Sequence, residues 1–499
     1  MSKSENKRPN VLFLLADDQR YGTIHALGNE QIKTPNLDRL VERGTAFNRA
    51  YIPGGTASAV CMPSRGMINS SRTLFHLEEN GRNIPECDIT MGQAFREGGY
   101  SCFETGKWHN GVKSFARSFT AGSEIFFGGM WDHWNVPVCD FREDGVYDKS
   151  IHFTPNFSAN SAAVSVLADR IHAGVHSTEL FSDAAIDFIE NYNKEEPFFM
   201  YVSFLAPHDP RTMPEEYRNM YDPAKIELPP NYMPMPQFDY GWATGRDETV
   251  AGYPRMPEEI KQHIADYYAM ISHIDDNVGR ILKALEEKGQ LENTIIVFAG
   301  DNGLALGQHG LMGKQNIYEH SVRLPLVMAG PGIPEGCVRN QYVYLLDIYP
   351  SLCELCGVKI PDSVEGKSFA PMFSDESYVT RPDIYHAFQA RIRGIQDGRF
   401  KLVEYRTDKL KISQLFDLQN DPWETQNCFG IPGYEGIIAK LRSRMEEYRG
   451  EWDEEEHIYG RQFWEQWRNY ESAEVHGVDK PKGSNMANQI ADWGTNKKK

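Results

Sequence analysis

Cys61-Met62-Pro63-Ser64-Arg65, with Arg72 seven residues further on, is the stretch around which the chain's reactive side chains are grouped. A cysteine by itself usually acts as a small buried hydrophobe. Here the surroundings argue otherwise. Upstream, the apolar residues 11–16 end in Asp17-Asp18, and far downstream the apolar residues 294–299 end in Gly300-Asp301-Asn302-Gly303. Asp17, Asp18, Asp301 and Asn302 offer only oxygen, which selects a hard cation. Calcium suits them better than magnesium because it tolerates irregular cages. Each acid alone is more often a cap or a surface residue. Two such pairs, each directly after a buried apolar run, point to a metal. Gly106-Lys107-Trp108-His109 and Ala206-Pro207-His208 lie between these pairs, and Gly313-Lys314 follows them.

The elements that must carry these groups can be read locally. Residues 11–15, Val-Leu-Phe-Leu-Leu, have no polar alternation, which predicts a strand buried on both faces of a sheet. In an open α/β sheet the ligand crevice lies outside the carboxyl ends of the strands, where Asp17 and Asp18 fall. Further strands are expected over 100–104, 197–204, 294–299 and 324–329. If they run mostly parallel, Lys107, His109, His208, Asp301 and Asn302 all emerge on one side. After Cys61 only Gly66 breaks helical character as far as Ser70, and Pro63 is tolerated in a first turn. Cys61 is therefore predicted at the amino end of a helix, a position that favours anions. The apolar stripe from Ile260 to Leu285 predicts a long core helix.

A length of 499 residues fits one large domain carrying a smaller one. The net charge of −18 speaks against a nucleic-acid partner. Locally the sign reverses: one divalent cation with Arg65, Lys107 and Lys314 carries about five positive charges, against three on Asp17, Asp18 and Asp301. The eight cysteines form no dense disulfide framework. Cys353 and Cys356 are read as the buried face of a helix ending at Gly357. No apolar run approaches the length of a membrane helix, and the first ten residues contain no secretory signal. The expected location is the cytoplasm, or the periplasm or exterior if a leader has been removed. There are no internal repeats.

In their order along the chain these motifs resemble the type I sulfatases, the formylglycine-dependent branch of the alkaline phosphatase superfamily. The resemblance covers most of residues 8–428. It implies an α/β fold with a large mixed, mostly parallel sheet between helices. It also implies that Cys61 is oxidised to formylglycine by a formylglycine-generating or anaerobic sulfatase-maturating enzyme, that its hydrate is the nucleophile, and that one calcium ion is held by the acids. Arg65 then steadies the hydrate and Lys107 and Lys314 grip the sulfate. His208 protonates the leaving alkoxide, and His109 is the base that collapses the sulfated hemiacetal. The family's usual Leu-x-Thr-Gly-Arg extension is here Ile68-Asn69-Ser70-Ser71-Arg72, with Ser71 in place of glycine.

The segment Gly307-Gln308-His309-Gly310 and the aromatic excursions over 118–160 and 212–256 look like bacterial polysaccharide sulfatases, including those acting on algal galactans such as carrageenan. Arg211, His133 and Trp131 are the candidate substrate contacts, with Trp134 and Trp242 as further rings able to stack on sugars. The expected substrate is a sulfated carbohydrate. The alternatives are a phosphonate or phosphate monoester hydrolase of the same superfamily, or a catalytically silent polysaccharide-binding protein in which Cys61 stays unmodified. From about residue 361 short strand-like segments replace the α/β pattern. The expected organisation is a catalytic domain over 1–360, a smaller subdomain over 361–476 (an antiparallel sheet with a closing helix), and a loosely ordered tail over 477–499.

Overall fold

The computed structural model describes residues 8–155 and 158–475; the tail expected over 477–499 lies outside the described residues. Its centre is an eight-stranded sheet in the order Cys337–Arg339, Gly44–Phe47, Leu326–Ala329, Thr294–Gly300, Asn10–Ala16, Phe198–Ser203, Ser101–Lys107, Ala121–Phe126. Leu326–Ala329 runs antiparallel to both of its neighbours, and the other pairings are parallel. This is the mixed, mostly parallel sheet expected from the apolar runs.

The strand Asn10–Ala16 shows why its sequence lacks alternation. Val11, Phe13 and Leu15 enter one hydrophobic core, while Leu12, Leu14 and Ala16 enter the other. Both faces are dry, so polar residues are excluded from both. The second core contains the 31-residue helix Pro257–Glu287, whose buried residues include Ile260, Ile264, Ile271, Ile274, Val278, Ile281 and Leu285. The helix Pro35–Glu42 docks on it. Its own cap residue Thr34 makes no side-chain capping bond, and Asp275 of the long helix accepts from Asn36 N at 3.1 Å and Leu37 N at 2.7 Å instead.

Burial pushes the Asp275 carboxyl up to about 6 despite those two N–H donors. A carboxyl raised above its unfolded value takes up a proton on folding, so its contribution to stability declines as pH rises from about 4 to about 6 and then stays constant. Asp275→Asn keeps an acceptor for the helix end and cannot ionise. Thermal unfolding should therefore find the variant gaining on the wild type across that window by up to about 3 kcal/mol, and parallel curves for the two proteins would exclude the effect.

The remaining sheets lie toward the chain end. Ile384–Phe388, Ile392–Gln396, Phe400–Thr407 and Leu410–Asp417 form an antiparallel meander. Gly54–Gly55 joins it in parallel beside Ile384–Phe388, seven residues before Cys61 is reached from Gly54. The helix Glu435–Glu451 packs on the meander as expected. A second one, Ile458–Val475, was not anticipated: Phe463, Trp464 and Trp467 are buried by it, and Glu454 just before it takes a 2.5 Å ion pair from buried Arg393. Cys353 and Cys356 lie buried on Ile348–Cys356, which ends at Gly357 with φ +63°. No helix among the described residues is long and apolar enough to cross a membrane.

Candidate functional site

Strand register levels the reactive residues. Ala16 pairs with Gly300, Leu15 with Ser203, and Ser203 with Gly106, so four neighbouring strands end together. Asp17, Asp301, Lys107 and the turn leading to His208 thus leave the sheet at one edge. The strand carrying Lys107 runs three residues further than its sequence suggested, and the lysine is its last residue. Close backbone approach requires glycine at two of these ends. A Cβ on Gly106 (φ +104°) would lie 2.0 Å from Ser203 O, and one on Gly300 would lie 2.2 Å from Gln19 O.

Asp17, Asp18, Asp301 and Asn302 are all buried. The three carboxylates present oxygens within 4.8 Å of one another. Asp18 sits at φ +68°, a conformation expensive for a non-glycine residue. It is held there by its N–H on Asp301 Oδ1 at 3.0 Å and by Tyr267, whose hydroxyl donates to the Asp18 carbonyl at 2.6 Å. Asn302 Nδ2 donates to Asp18 Oδ1 at 2.6 Å. Asp17 Oδ1, Asp18 Oδ2 and Asn302 Oδ1 have no hydrogen-bond partner among the described residues. Buried oxygen acceptors left unpaired on three converging side chains fit a hard cation.

Cations already surround this cage. Lys107 Nζ contacts Asp17 Oδ2, and Lys314 Nζ lies 2.5 Å from Asp18 Oδ1. Fully buried Arg65 donates from Nε to Asp301 Oδ2 at 2.8 Å and from Nη1 to the Lys107 carbonyl at 2.7 Å and to Ser203 Oγ; its Nη2 lies 4.0 Å from Asp17 Oδ2. Burial opposes the ionised form of Asp17, yet Lys107, with His208, Arg65 and Lys314 behind it, holds that carboxyl far below the ordinary range.

Cys61 opens the helix Cys61–Ser70, as expected, and is buried. Lys107 Nζ is 3.5 Å from its Sγ, so one ammonium bridges Cys61 and Asp17. His109 Nδ1 stands 3.6 Å from Sγ, on a residue with φ +68°. Burial pushes the Cys61 thiol up to about 11, outweighing Lys107 and Lys314. At neutral pH the unmodified side chain is a thiol and not a thiolate. Burial, then the nearby Lys107 ammonium, keeps His109 well below its ordinary value, so its imidazole is neutral. His208 Nδ1 donates to the Asp209 carbonyl at 2.7 Å, leaving Nε2 toward Asp18 Oδ2 at 3.6 Å. At the far end of this helix Ser71 adopts φ +56°, the left-handed conformation that glycine takes most easily, and its hydroxyl donates to Leu346 O at 2.7 Å.

A cavity of about 190 Å³ leads down to this cluster, lined by Cys61, His109, His208 and Lys314 with Trp242, Arg246 and Asp247 at its wall. The three substrate-contact candidates are placed elsewhere. His133 is fully buried with both ring nitrogens engaged, Nδ1 with Ser177 Oγ at 2.7 Å and Nε2 with the His208 carbonyl at 2.9 Å. It has no atom to offer a substrate and instead fixes the His208 backbone. Arg211 Nη1 meets His263 Nδ1 at 3.0 Å, and Trp131 packs edge-on to Phe153 with ring centroids 5.0 Å apart; neither lines the cavity. Its wall is made instead by Gly129 and Met130, by Trp242, already named as a ring able to stack on sugars, and by Arg246 and Asp247 from the irregular stretch 212–256. Arg246 reaches it from there, clamped by both carboxylate oxygens of Asp209, and Asp247 accepts from Gln315 Nε2 at 2.6 Å. From the same stretch Glu248 accepts from the Met312 and Gly313 N–H groups, each at 2.9 Å, and so secures the turn that presents Lys314. The sequence signal was the charged turn Gly245-Arg246-Asp247-Glu248, beginning three residues after the isolated Trp242.

Comparison with known proteins agrees with this geometry. A family model described as Sulfatase matches residues 9–358, and one described as N-sulphoglucosamine sulphohydrolase, C-terminal, matches residues 307–451. The chain is 25% identical to an N-acetylglucosamine-6-O-sulfatase of Bacteroides thetaiotaomicron over 89% of its length and 87% of that protein's. It is 26% identical to an ulvan-active sulfatase of Formosa agariphila over 96% of its length and 87% of that protein's. A solved structure in complex with its substrate D-glucosamine-2-N,6-O-disulfate superposes with a TM-score of 0.73 at 23% identity, covering 90% of this chain and 98% of that one. Because the Sulfatase match spans the strand ends that deliver Asp17, Lys107, His208 and Asp301 as well as the helix that begins at Cys61, the chain belongs to the sulfatase family of the alkaline phosphatase superfamily and is a sulfuric ester hydrolase.

Proposed function

We propose that the enzyme removes sulfate from a sulfated polysaccharide or oligosaccharide, such as an algal galactan of the carrageenan type, with Cys61 converted to formylglycine and one calcium ion held by Asp17, Asp18, Asp301 and Asn302. The observation that carries this reading is the position of Cys61 Sγ, 3.5 Å from the Lys107 ammonium and 3.6 Å from His109, at the floor of a cavity over three buried carboxylates. The high thiol pKa supports it further, since a neutral buried thiol is a poor nucleophile and oxidation supplies the aldehyde whose hydrate attacks sulfur. The calcium ion, when bound, adds Lewis-acid stabilisation of the charge growing on the sulfate oxygens.

The chain's own residues divide the remaining work. The Lys107 and Lys314 ammoniums lie beside the nucleophile position and Asp18, where they orient the sulfate and offset its charge. His208 delivers a proton from Nε2 to the leaving alkoxide, its Nδ1 being occupied by the Asp209 carbonyl. Neutral His109 accepts a proton from the Cys61-derived group when sulfate is released. Arg65 holds Asp301 and turns Nη2, which has no hydrogen-bond partner among the described residues, toward the same space. The cavity volume of about 190 Å³ suits a terminal sugar unit and its sulfate, with Arg246 and Trp242 contacting the sugar. The domain division at about residue 360 remains part of this reading, the later segment closing over the catalytic one.

Protein co-produced with a maturation enzyme should give a tryptic peptide containing residue 61 that is lighter by about 18 Da. The same preparation should turn over an aryl sulfate at least ~100-fold faster than the matching aryl phosphate. An unshifted peptide in an inactive protein would support a silent binding protein, and preference for the phosphate or phosphonate ester would move the chain to the other branch of the superfamily.

A further inference from the structure

A second, larger cleft is separate from the catalytic cavity. It measures about 540 Å³, is bounded by residues 20–31, 227–231 and 422–424 and by the Ile264/Tyr268 face of the long helix, and shares no lining residue with the cavity over Cys61. Tyr267 OH ties the two regions together, donating to Asp18 O in the carboxylate cage and accepting from the N–H of Arg20, a residue of the cleft lining, at 2.9 Å.

Two side chains in this cleft have polar atoms that the protein does not satisfy. His320 is 5% exposed and neither ring nitrogen has a hydrogen-bond partner among the described residues. Asn231, also 5% exposed, uses Nδ2 on Gln308 Oε1, His309 Nε2 and the Trp423 carbonyl, and its Oδ1 is unpaired. Buried polar groups are rarely left without partners unless a ligand or water completes them. Burial, then the neighbouring His309, keeps His320 neutral, so its ring offers one donor and one acceptor in the same cleft as the Asn231 acceptor. That set matches sugar hydroxyls, which both donate and accept. At the lip, Trp423 leaves 42% of its surface exposed, a flat ring of the kind that packs against the C–H face of a sugar.

The charge balance decides what kind of sugar. Two arginines and four glutamates line the cleft. Arg20 is engaged on the Leu304 and Ala305 carbonyls at 3.3 Å each, and Arg323 on the Asn48 carbonyl at 2.7 Å with its guanidinium 3.7 Å over the Tyr21 ring. Glu319 and Glu424 are both tied to Lys401, leaving exposed Glu30 and Glu227 to face solvent. Counting Lys401, three positive charges stand here against four negative ones, and both arginines are turned to backbone carbonyls, so a sulfate group entering the cleft would meet a small net negative charge. We propose that the cleft is a second binding site, specific for an uncharged, unsulfated sugar unit, through which the enzyme holds a glycan chain at a point away from the catalytic cavity. Its volume accommodates about two sugar rings.

The test uses the full chain and four probes: agarotetraose, cellotetraose, mannotetraose, and a sulfated carrageenan tetrasaccharide. Saturation-transfer NMR and calorimetry should find saturable binding of at least one neutral tetrasaccharide with Kd of about 0.1–10 mM. Trp423→Ala should weaken that binding at least ~10-fold, Trp423→Phe should restore it to within ~3-fold, and both variants should keep turnover of a small aryl sulfate within ~2-fold of wild type. Absence of binding by all three neutral probes, an unchanged Kd in Trp423→Ala, or binding by the sulfated probe that Trp423→Ala weakens and the neutral probes do not compete, would each overturn the proposal. Turnover of the aryl sulfate tests the catalytic reading separately, so the two can fail independently.

Discussion

Cys61→Ala is expected to lower kcat/KM on an aryl sulfate by at least ~10³-fold while moving the unfolding temperature by no more than a few degrees. The residue begins a buried helix and touches Lys107 and His109, but it holds no ion pair and donates no structural hydrogen bond that the fold needs. Removing one sulfur from this position leaves a small void over the cage, worth roughly 1 kcal/mol. Activity and stability should therefore separate sharply. Steady-state kinetics with matched thermal melts decide the point. Residual activity near the wild-type level would show that the nucleophile lies elsewhere, and a large drop in stability would make the kinetic loss uninformative. Cys61→Ser makes a second probe: serine keeps the shape of cysteine with a smaller hydroxyl in place of the thiol, and it should recover activity only where the maturation enzyme accepts serine.

The second large effect is expected at Asp301. Its two oxygens are divided between the Asp18 N–H and the Arg65 guanidinium, and Arg65 is completely buried. Asp301→Asn preserves shape and one acceptor but removes the charge that balances Arg65. Breaking one side of a buried ion pair destabilises by about 3–5 kcal/mol, and the cage loses one of its three carboxylates at the same time. We expect turnover to fall by at least ~10³-fold and calcium affinity, measured by calorimetry, by at least ~100-fold. Chelation provides the internal control. A cation that binds only the folded form raises the unfolding temperature of the wild type, and EDTA should lower that temperature clearly in the wild type and hardly at all in Asp301→Asn. Equal sensitivity of the two proteins to EDTA would place the metal away from Asp301.

These two experiments examine different halves of the site. Cys61 depends on the helix that begins with it, whereas Asp301 depends on a strand end in register with Ala16 and Asp17. Lys107 joins them by touching both Cys61 and Asp17. Loss of either half should leave the other's geometry recognisable, which is why ligand binding and turnover need to be measured together.

Much of this arrangement is legible without coordinates because it is set by short-range rules. An unbroken β-rich run such as Val-Leu-Phe-Leu-Leu suits a strand covered on both faces, which puts the residues that follow it at the carboxyl edge of the sheet. Pro63 and the absence of breakers up to Ser70 place Cys61 at a helix start. Three- and four-residue spacings from Ile260 to Leu285 specify the long core helix. Only the folded chain decided the rest. Strand register, which levels Asp17, Ser203, Lys107 and Asp301, is a relation among segments nearly 300 residues apart. Part of the cavity wall comes from Trp242, Arg246 and Asp247, in a stretch where no periodicity exists to announce a direction, and His133 turned inward because Ser177 and the His208 carbonyl claimed both of its nitrogens. Local pattern determines which residues form a strand or a helix, since that depends on neighbours along the chain. Which side chains face one another across a cleft depends on packing partners remote in sequence, and that information resides in the tertiary contacts.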